Sequence, residues 1–133
     1  MPDLKKKRDN LCSAYDRLCE AAEAYHRDTG NSIIRDGMIQ RFEFTVELSW
    51  KTLKAVLEDQ GVIGADTPKA AFREAYAANL IVNEEPWLLM LLDRNLTSHV
   101  YREDVATAIA TRILNGYLDA FGGLIHTLAA HIN

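Results

Sequence analysis

The chain has 133 residues, the length of one ordinary domain, and its apolar content of 48% is enough to build a buried core. Fifteen basic and nineteen acidic residues give a net charge of −4, which excludes the broadly basic surface of proteins that bind nucleic acid through many phosphate contacts. We therefore expect residues 1–133 to form a single domain in which any contact with nucleic acid is local.

Two long helices are predicted in the first half of the chain. The first ends at Thr29-Gly30-Asn31, a typical C-terminal signal, and the second ends at Gly61. In both, apolar residues recur at steps of three, four or seven, as they do along one face of a helix. These residues are Leu4, Leu11, Tyr15, Leu18, Ala22 and Tyr25 in the first helix, and Ile39, Phe42, Val46, Trp50, Leu53 and Leu57 in the second.

The two cysteines, Cys12 and Cys19, lie on the first predicted helix. Their spacing places the Cα atoms roughly 10 Å apart along the helix, beyond the reach of a disulfide, and free thiols suit a reducing compartment. The basic residues 5–8 are not followed by the apolar segment of a secretory signal, and the longest apolar run, residues 87–92, is too short to span a bilayer. We therefore expect a cytoplasmic protein with no membrane partner.

Two short helices and one long helix are predicted in the second half. Thr67-Pro68 is typical of a helix start, and Asn83 and Pro86 open the next helix in a similar way. The apolar sides are predicted to be Phe72, Ala75, Tyr76 and Leu80 in the first short helix, Trp87, Leu88, Leu91 and Leu92 in the second, and Val105, Ile109, Ile113, Tyr117, Phe121, Leu124 and Leu128 in the long one. No segment alternates with the period of a strand, so the fold class is all-α, an antiparallel up-and-down bundle of about five helices, three long and two short.

One connecting segment is unusually polar. Residues 93–104 contain ten polar or charged side chains among twelve, between two apolar helices. On a continuous helix Arg94 and His99 would point about 140° apart, so they can face one site only if the chain bends between them. Thr97 and Ser98 suit such a break, because either hydroxyl can cap the helix that follows.

The residue types in this segment fit phosphate chemistry. A neutral His99 can take a proton from a hydroxyl near neutral pH, and the planar guanidinium of Arg94 can hold a phosphate. Asn95 can orient a nucleotide or the histidine, and Tyr101 can donate a hydrogen bond, stack on a base or accept a nucleotidyl group. The alternative is structural, with these groups capping two helix ends and pairing with Asp93, Glu103 and Asp104.

The sequence also resembles a known superfamily in two places. Arg94-Asn95-x3-His99-x-Tyr101 resembles the Arg-x4–6-His-x-Tyr motif of the HEPN superfamily (higher eukaryotes and prokaryotes nucleotide-binding domains). The stretch from Ile39 to Lys54, Ile-Gln-Arg-Phe-Glu-Phe-Thr-Val-Glu-Leu-Ser-Trp-Lys-Thr-Leu-Lys, is similar to the second helix of its nucleotidyltransferase substrate-binding protein family. The order and separation of the two stretches also match, and the resemblance covers most of the chain.

This resemblance implies a helical bundle that forms a homodimer or higher homo-oligomer beside a separately encoded minimal nucleotidyltransferase. The companion would carry the metal-dependent transfer residues, whereas Arg94, Asn95, His99 and Tyr101 would bind a nucleotide, a phosphate or RNA at the homodimer interface. No cofactor is implied for this chain. His126 and His131 are not spaced as two ligands on one helix face, so we expect no metal site in it.

Wider relatives imply an enzymatic alternative, a metal-independent endoribonuclease toxin of a toxin–antitoxin pair. Arg94 and His99 would then be the catalytic residues, and the companion would inactivate the toxin by attaching adenylate to Tyr101. Both possibilities stay open at the level of sequence, as does the question of whether Arg94 and His99 act within one chain or across two.

Overall fold

The computed structural model describes residues 3–132. Its helices are α1 (Leu4–Arg27), α2 (Ser32–Asp59), α3 (Pro68–Ala77), α4 (Glu85–Leu96), α5 (Glu103–Arg112) and α6 (Leu118–His131). A π-helical turn, Ile113–Tyr117, joins α5 to α6, so these two form one long rod. Three long and two short helical rods, with no strand in the described range, confirm the all-α bundle predicted from the sequence.

The helix starts follow from local side-chain chemistry. Asp3, Asn31 and Thr67 precede α1, α2 and α3, and each side chain accepts a hydrogen bond from a backbone N–H of the first turn. Thr67 Oγ1 accepts from the Ala70 N–H at 3.1 Å, with Pro68 at the first helical position as predicted. At the end of α2, Gly61 has a φ of +85°, a conformation that glycine adopts without strain.

Aromatic rings join the helices in the core. Phe42 of α2 stacks on Tyr117 with ring centroids 5.4 Å apart, and its edge meets Phe121 of α6 at 6.3 Å. Trp87 of α4 contacts Phe72 of α3 at 5.0 Å and Phe121 at 5.5 Å. Rings in these edge and offset arrangements stabilise one another beyond their burial, so α2, α3, α4 and the long rod form one core.

Some residues predicted on the apolar side of a helix are exposed. Leu92 is 61% exposed and Tyr76 is 48% exposed. The reason in α4 is that Trp87, Met90 and Asp93, three residues apart, form its buried face, so Leu89 and Leu92 turn outward while Leu91 packs partly against the core.

Small side chains shape the surface of α1. Gly122 allows α6 to approach α1 closely, since a Cβ there would lie 2.9 Å from the Tyr15 hydroxyl. Cys12 and Cys19 lie on α1 as free thiols, as predicted. Within residues 3–132, no helix combines the length and the apolar character that crossing a membrane requires.

Candidate functional site

The polar segment breaks the helix where the sequence predicted a bend. Helix α4 ends at Leu96, a 3₁₀ turn spans Thr97–His99, and α5 begins at Glu103. The Thr97 hydroxyl donates to the Arg94 carbonyl at 2.7 Å, so it closes the end of α4. The prediction that Thr97 or Ser98 caps the following helix is wrong, because Arg102 is the N-cap of α5 and makes no side-chain cap.

Arg94 lies on the last turn of α4 and contacts α2. Its Nη1 donates to Glu47 Oε2 at 3.3 Å, and the Lys51 ammonium lies 3.3 Å from the other oxygen of the same carboxylate. The Arg94 side chain keeps 30% of its surface exposed. Glu47 belongs to the helix-two stretch and Arg94 to the motif, so the two parts of the sequence that carry the resemblance meet here.

Glu47 is held in its charged form by these neighbours. Burial raises the pKa of Glu47, but the Trp50 indole, Lys51 and Arg94 lower it more, so this carboxyl group titrates below its ordinary value of 4.5. The Trp50 Nε1 atom is itself fully buried, and within residues 3–132 it makes no hydrogen bond of normal length and angle. Arg94 therefore faces a permanent negative charge near neutral pH.

The other motif side chains are exposed. His99 lies in the 3₁₀ turn and Tyr101 just beyond it, 80% exposed, with their ring centroids 6.1 Å apart at an angle of 62°. Within the described range, the side chains of Asn95, His99 and Tyr101 make no hydrogen bond, and no hydrogen bond joins Arg94 to His99. One chain thus brings Arg94 to Glu47 and His99 to Tyr101, as two separate groups.

The acidic residues of the segment pair elsewhere. Arg35 of α2 binds Glu103 at the start of α5, and Arg102 binds Asp104 at 3.1 Å. Asp93 turns inward and binds Arg112. In the structural alternative, these acids would pair with the motif side chains. Within the described chain, neither Arg94 nor His99 pairs with one of them.

A buried polar network next to Arg94 in the chain was not predicted from the sequence. Asp93 is 4% exposed, and Arg112 donates to its two oxygens at 2.6 and 2.7 Å, while the Tyr117 hydroxyl donates at 2.6 Å. The hydrogen bonds to Asp93 raise the pKa of Arg112, and burial followed by the Asp93 carboxylate raises the pKa of Tyr117. Both groups therefore keep their protons near neutral pH.

The π turn explains how Arg112 and Tyr117 reach one carboxylate. Five residues on a regular α-helix turn about 140° apart, whereas a π turn widens the spiral locally. Here the Leu118 N–H donates to the Ile113 carbonyl, five residues earlier. The sequence did carry a signal of this π turn. The apolar residues Ile109, Ile113, Tyr117 and Phe121 recur at unbroken steps of four. On a regular α-helix, each step of four would rotate the apolar side by about 40°.

Comparison with known proteins identifies close likenesses over nearly the whole chain. The family model of nucleotidyltransferase substrate binding protein-like sequences matches residues 6–130. A probable ribonuclease HepT from Haemophilus influenzae is 37% identical over 94 residues, which cover 65% of this chain and 64% of that relative. The match thus spans less than two thirds of the relative's length.

Two solved structures have the same fold. A protein from Thermus thermophilus is 35% identical with a TM-score of 0.79, and the match covers 89% of this chain and 98% of that one. A Haemophilus influenzae protein is 28% identical with a TM-score of 0.80, and the match covers 92% of this chain and 98% of that one. Its structure is described as revealing the fold of a substrate binding domain of a nucleotidyltransferase.

Proposed function

Because the chain belongs to the family of nucleotidyltransferase substrate binding protein-like proteins, we propose that it is the HEPN-like binding subunit of a two-component nucleotidyltransferase module. A nucleotide or phosphate binds near Arg94 and His99 at a homodimer interface. The observation that carries this proposal is that Asn95, His99 and Tyr101, in the segment that follows Arg94, are exposed with no side-chain hydrogen-bond partner among residues 3–132. Polar side chains in that state are available to a ligand or a second chain.

An exposed leucine face supports the homodimer. Leu89, Leu92 and Leu96 of α4 are 39%, 61% and 40% exposed, and their three- and four-residue spacing places them on one side of the helix. Arg94 and Asn95 lie within the same stretch of α4. A two-fold contact through this face presents the same patch on both chains. In the proposed homodimer, this contact brings the polar segment of one protomer close to that of its partner.

Co-expression with a minimal nucleotidyltransferase encoded beside it tests the partnership. The two chains are expected to co-purify on a tag carried by the companion, and the complex is expected to work in the cytoplasm, where the free thiols of Cys12 and Cys19 stay reduced. Arg94→Gln is expected to weaken nucleotide binding while the complex still co-purifies. A chain that elutes without the companion at every concentration would contradict the proposal.

A second candidate function, RNA cleavage, is favoured by the relative described as a probable ribonuclease HepT. In this reaction His99 takes the proton of a ribose 2′-hydroxyl, the 2′-oxygen attacks the adjacent phosphorus, and the 5′-oxygen of the next nucleotide leaves and takes up a proton from water. The products are a 2′,3′-cyclic phosphate and a free 5′-hydroxyl, and Arg94 stabilises the charge that develops on the phosphate.

Incubation of the purified chain with RNA in the presence of a chelator tests cleavage. The wild type is expected to yield cyclic phosphate ends, His99→Ala is expected to yield none, and His131→Ala serves as the matched control. If the same amount of RNA stays intact with the wild type as with His99→Ala, RNA cleavage is excluded and the binding role remains.

Modification of Tyr101 by the companion is a further part of the proposal. The phenol oxygen attacks the α-phosphorus of ATP and releases pyrophosphate, which leaves adenylate on the tyrosine. The 80% exposure of Tyr101 supports access by another protein. Intact mass after co-expression is expected to show added adenylate on the wild type and on Tyr76→Phe, and none on Tyr101→Phe. Identical unmodified masses for all three would contradict it.

A further inference from the structure

A groove between α3 and α4 opens beside the motif. Its volume is about 390 Å³, within the range of pockets that hold small ligands. Lys69 and Arg73 of α3 line one side, and Arg94 and Asn95 of α4 line the other. The leucines of α4, including Leu91, lie between them and give the groove an apolar surface.

The charge of this groove is unusual for the chain. Three cations line it and no carboxylate does, among the residues that the structure describes, although the whole chain has a net charge of −4. Lys69 and Arg73 are one helical turn apart, so both extend from the same face of α3. Both are exposed, and neither takes part in an ion pair within residues 3–132.

Arg94 is the one cation of the groove that has a carboxylate partner, Glu47. That contact is long, at 3.3 Å, and Glu47 is shared with Lys51. Glu47 itself does not line the groove. The positive charge of Lys69 and Arg73 is therefore not neutralised locally, and it favours an anionic ligand.

We propose that the α3–α4 groove binds a nucleoside phosphate, whose phosphate lies between Lys69, Arg73 and Arg94 and whose base lies on the leucines. A ligand that is only an anion would leave the apolar surface unused, and an apolar ligand would leave three cations unpaired. The Asn95 amide offers both a donor and an acceptor to the edge of a base. The inference rests on the proposed function where it uses Arg94 and Asn95, and it adds Lys69 and Arg73 as binding residues.

Two sources of this ligand share the same chemistry. A free nucleotide fills the groove with one phosphate and one base. A nucleotide within a single RNA strand fills the groove in the same way, next to the phosphate that Arg94 and His99 would bind. The affinity for such a strand would depend strongly on the salt concentration. The measurement therefore uses AMP and a short single-stranded oligouridylate as separate probes.

The test compares the full chain with Lys69→Gln/Arg73→Gln in equilibrium binding of each probe. Loss of two charged hydrogen-bond donors is expected to weaken binding at least about 10-fold. For the oligouridylate, the slope of log affinity against log salt is expected to become shallower by about 1.4. Lys5→Gln/Lys6→Gln removes the same charge outside the groove and is expected to bind as the wild type does, while Lys69→Arg is expected to retain binding.

Each outcome decides the inference. Weakened binding of either probe by the groove variant alone supports it, and the probe that binds identifies the source. If the groove variant binds a probe as tightly as the wild type does, the proposal that the groove binds a nucleoside phosphate is wrong, and the proposed function stands. If the wild type binds neither probe, the groove is overturned, and co-purification with the companion decides the proposed function separately. Circular dichroism of each variant verifies that it is folded.

Discussion

Asp93 is a buried charge whose two oxygens are both engaged. Arg112 donates to each oxygen, and Tyr117 adds a third hydrogen bond. A paired and fully hydrogen-bonded carboxylate is tolerated under the surface, whereas an unpaired one is not. Because Asp93 directly precedes Arg94, this network also fixes the part of α4 from which the Arg94 side chain extends.

We expect Asp93→Asn to lower the free energy of unfolding by about 2 kcal/mol, because its amide cannot satisfy both Arg112 and Tyr117. Water offsets part of the loss, since the Arg112 side chain is 41% exposed. Tyr117→Phe keeps the ion pair, and it is expected to lower the free energy of unfolding by about 1 kcal/mol. Urea unfolding followed by circular dichroism measures both changes.

Tyr76→Phe is the matched control for this network. The Tyr76 side chain is half exposed, and its hydroxyl has no hydrogen-bond partner within the described chain. Its removal is expected to change the free energy of unfolding by less than about 0.5 kcal/mol. An Asp93→Asn variant as stable as this control would show that the network does not contribute to folding.

Glu47 gives the molecule a predictable response to acid. Its folded-state pKa lies below the ordinary value of 4.5, so in mildly acidic solution the unfolded chain binds the proton more strongly than the folded chain. The stabilisation from charged Glu47 is therefore present above the unfolded-state pKa, and it is lost as the pH falls through the folded-state pKa.

Comparison with Glu47→Gln isolates this effect. The wild type is expected to be more stable near neutral pH by less than about 1 kcal/mol, since the pair with Arg94 is partly exposed. The difference should shrink as the pH is lowered from about 6 to about 3, where Glu47 takes up a proton. Urea midpoints across this range measure it, and a difference that stays constant would contradict the assignment.

Helix α4 has two distinct sides. Trp87, Met90 and Asp93 face the core, whereas Leu92 and Leu96 are exposed. The sequence predicted the helix but placed its start at Asn83, whereas Glu84 is its N-cap and has no side-chain cap. It also could not separate the leucines that pack from those that stay outside. Apolar residues of α4 lie on most sides of the helix, so periodicity alone does not identify its buried face.

The long rod shows a second limit of sequence periodicity. Its apolar stripe predicted one helix through Ile113 and Tyr117, and the rod is continuous there. The π turn lies within that stripe, and Arg112 and Tyr117 at its two ends both bind Asp93 of α4. Periodicity along one helix does not predict contacts between helices. For the same reason the sequence predicted the break at Thr97 but not the contact of Arg94 with Glu47.

Two neighbouring glycines of α6 test how closely this rod packs. Gly123→Ala is expected to raise the free energy of unfolding by up to about 1 kcal/mol, because a Cβ there meets no atom within 4 Å and alanine favours the helix. Gly122→Ala is expected to gain less or to lose stability, since its Cβ would lie 2.9 Å from the Tyr15 hydroxyl. Thermal unfolding compares the two, and equal gains would contradict the close packing of α1 against α6.

At the scale of the whole molecule, the proposed site depends on the assembly of two protomers. Within residues 3–132, no hydrogen bond joins Arg94 to His99. The proposal places both residues at an interface between two protomers. Ligand binding is therefore to be measured together with the oligomeric state of the protein.

We expect Leu92→Glu to weaken the proposed homodimer at least about 10-fold without unfolding the chain, because a carboxylate would then lie in the proposed apolar contact. Leu92 is 61% exposed, so the isolated chain tolerates the change. Sedimentation equilibrium measures the dissociation constant. Ile63→Glu, at a side chain that is 89% exposed and lies outside α4, is the control and should assemble as the wild type does.

The partly buried indole of Trp50 gives this protein an optical reporter of its own. Its buried Nε1 atom lies close enough to Glu47 to lower the pKa of that carboxyl group, and Glu47 binds Arg94. A ligand that draws the guanidinium towards its own phosphate alters the electric field at that indole, and so the wavelength and intensity of its emission. Trp87, enclosed by Phe72 and Phe121 in the core, supplies a steady background. Occupancy beside Arg94 can therefore be followed by light, with no dye attached to the protein.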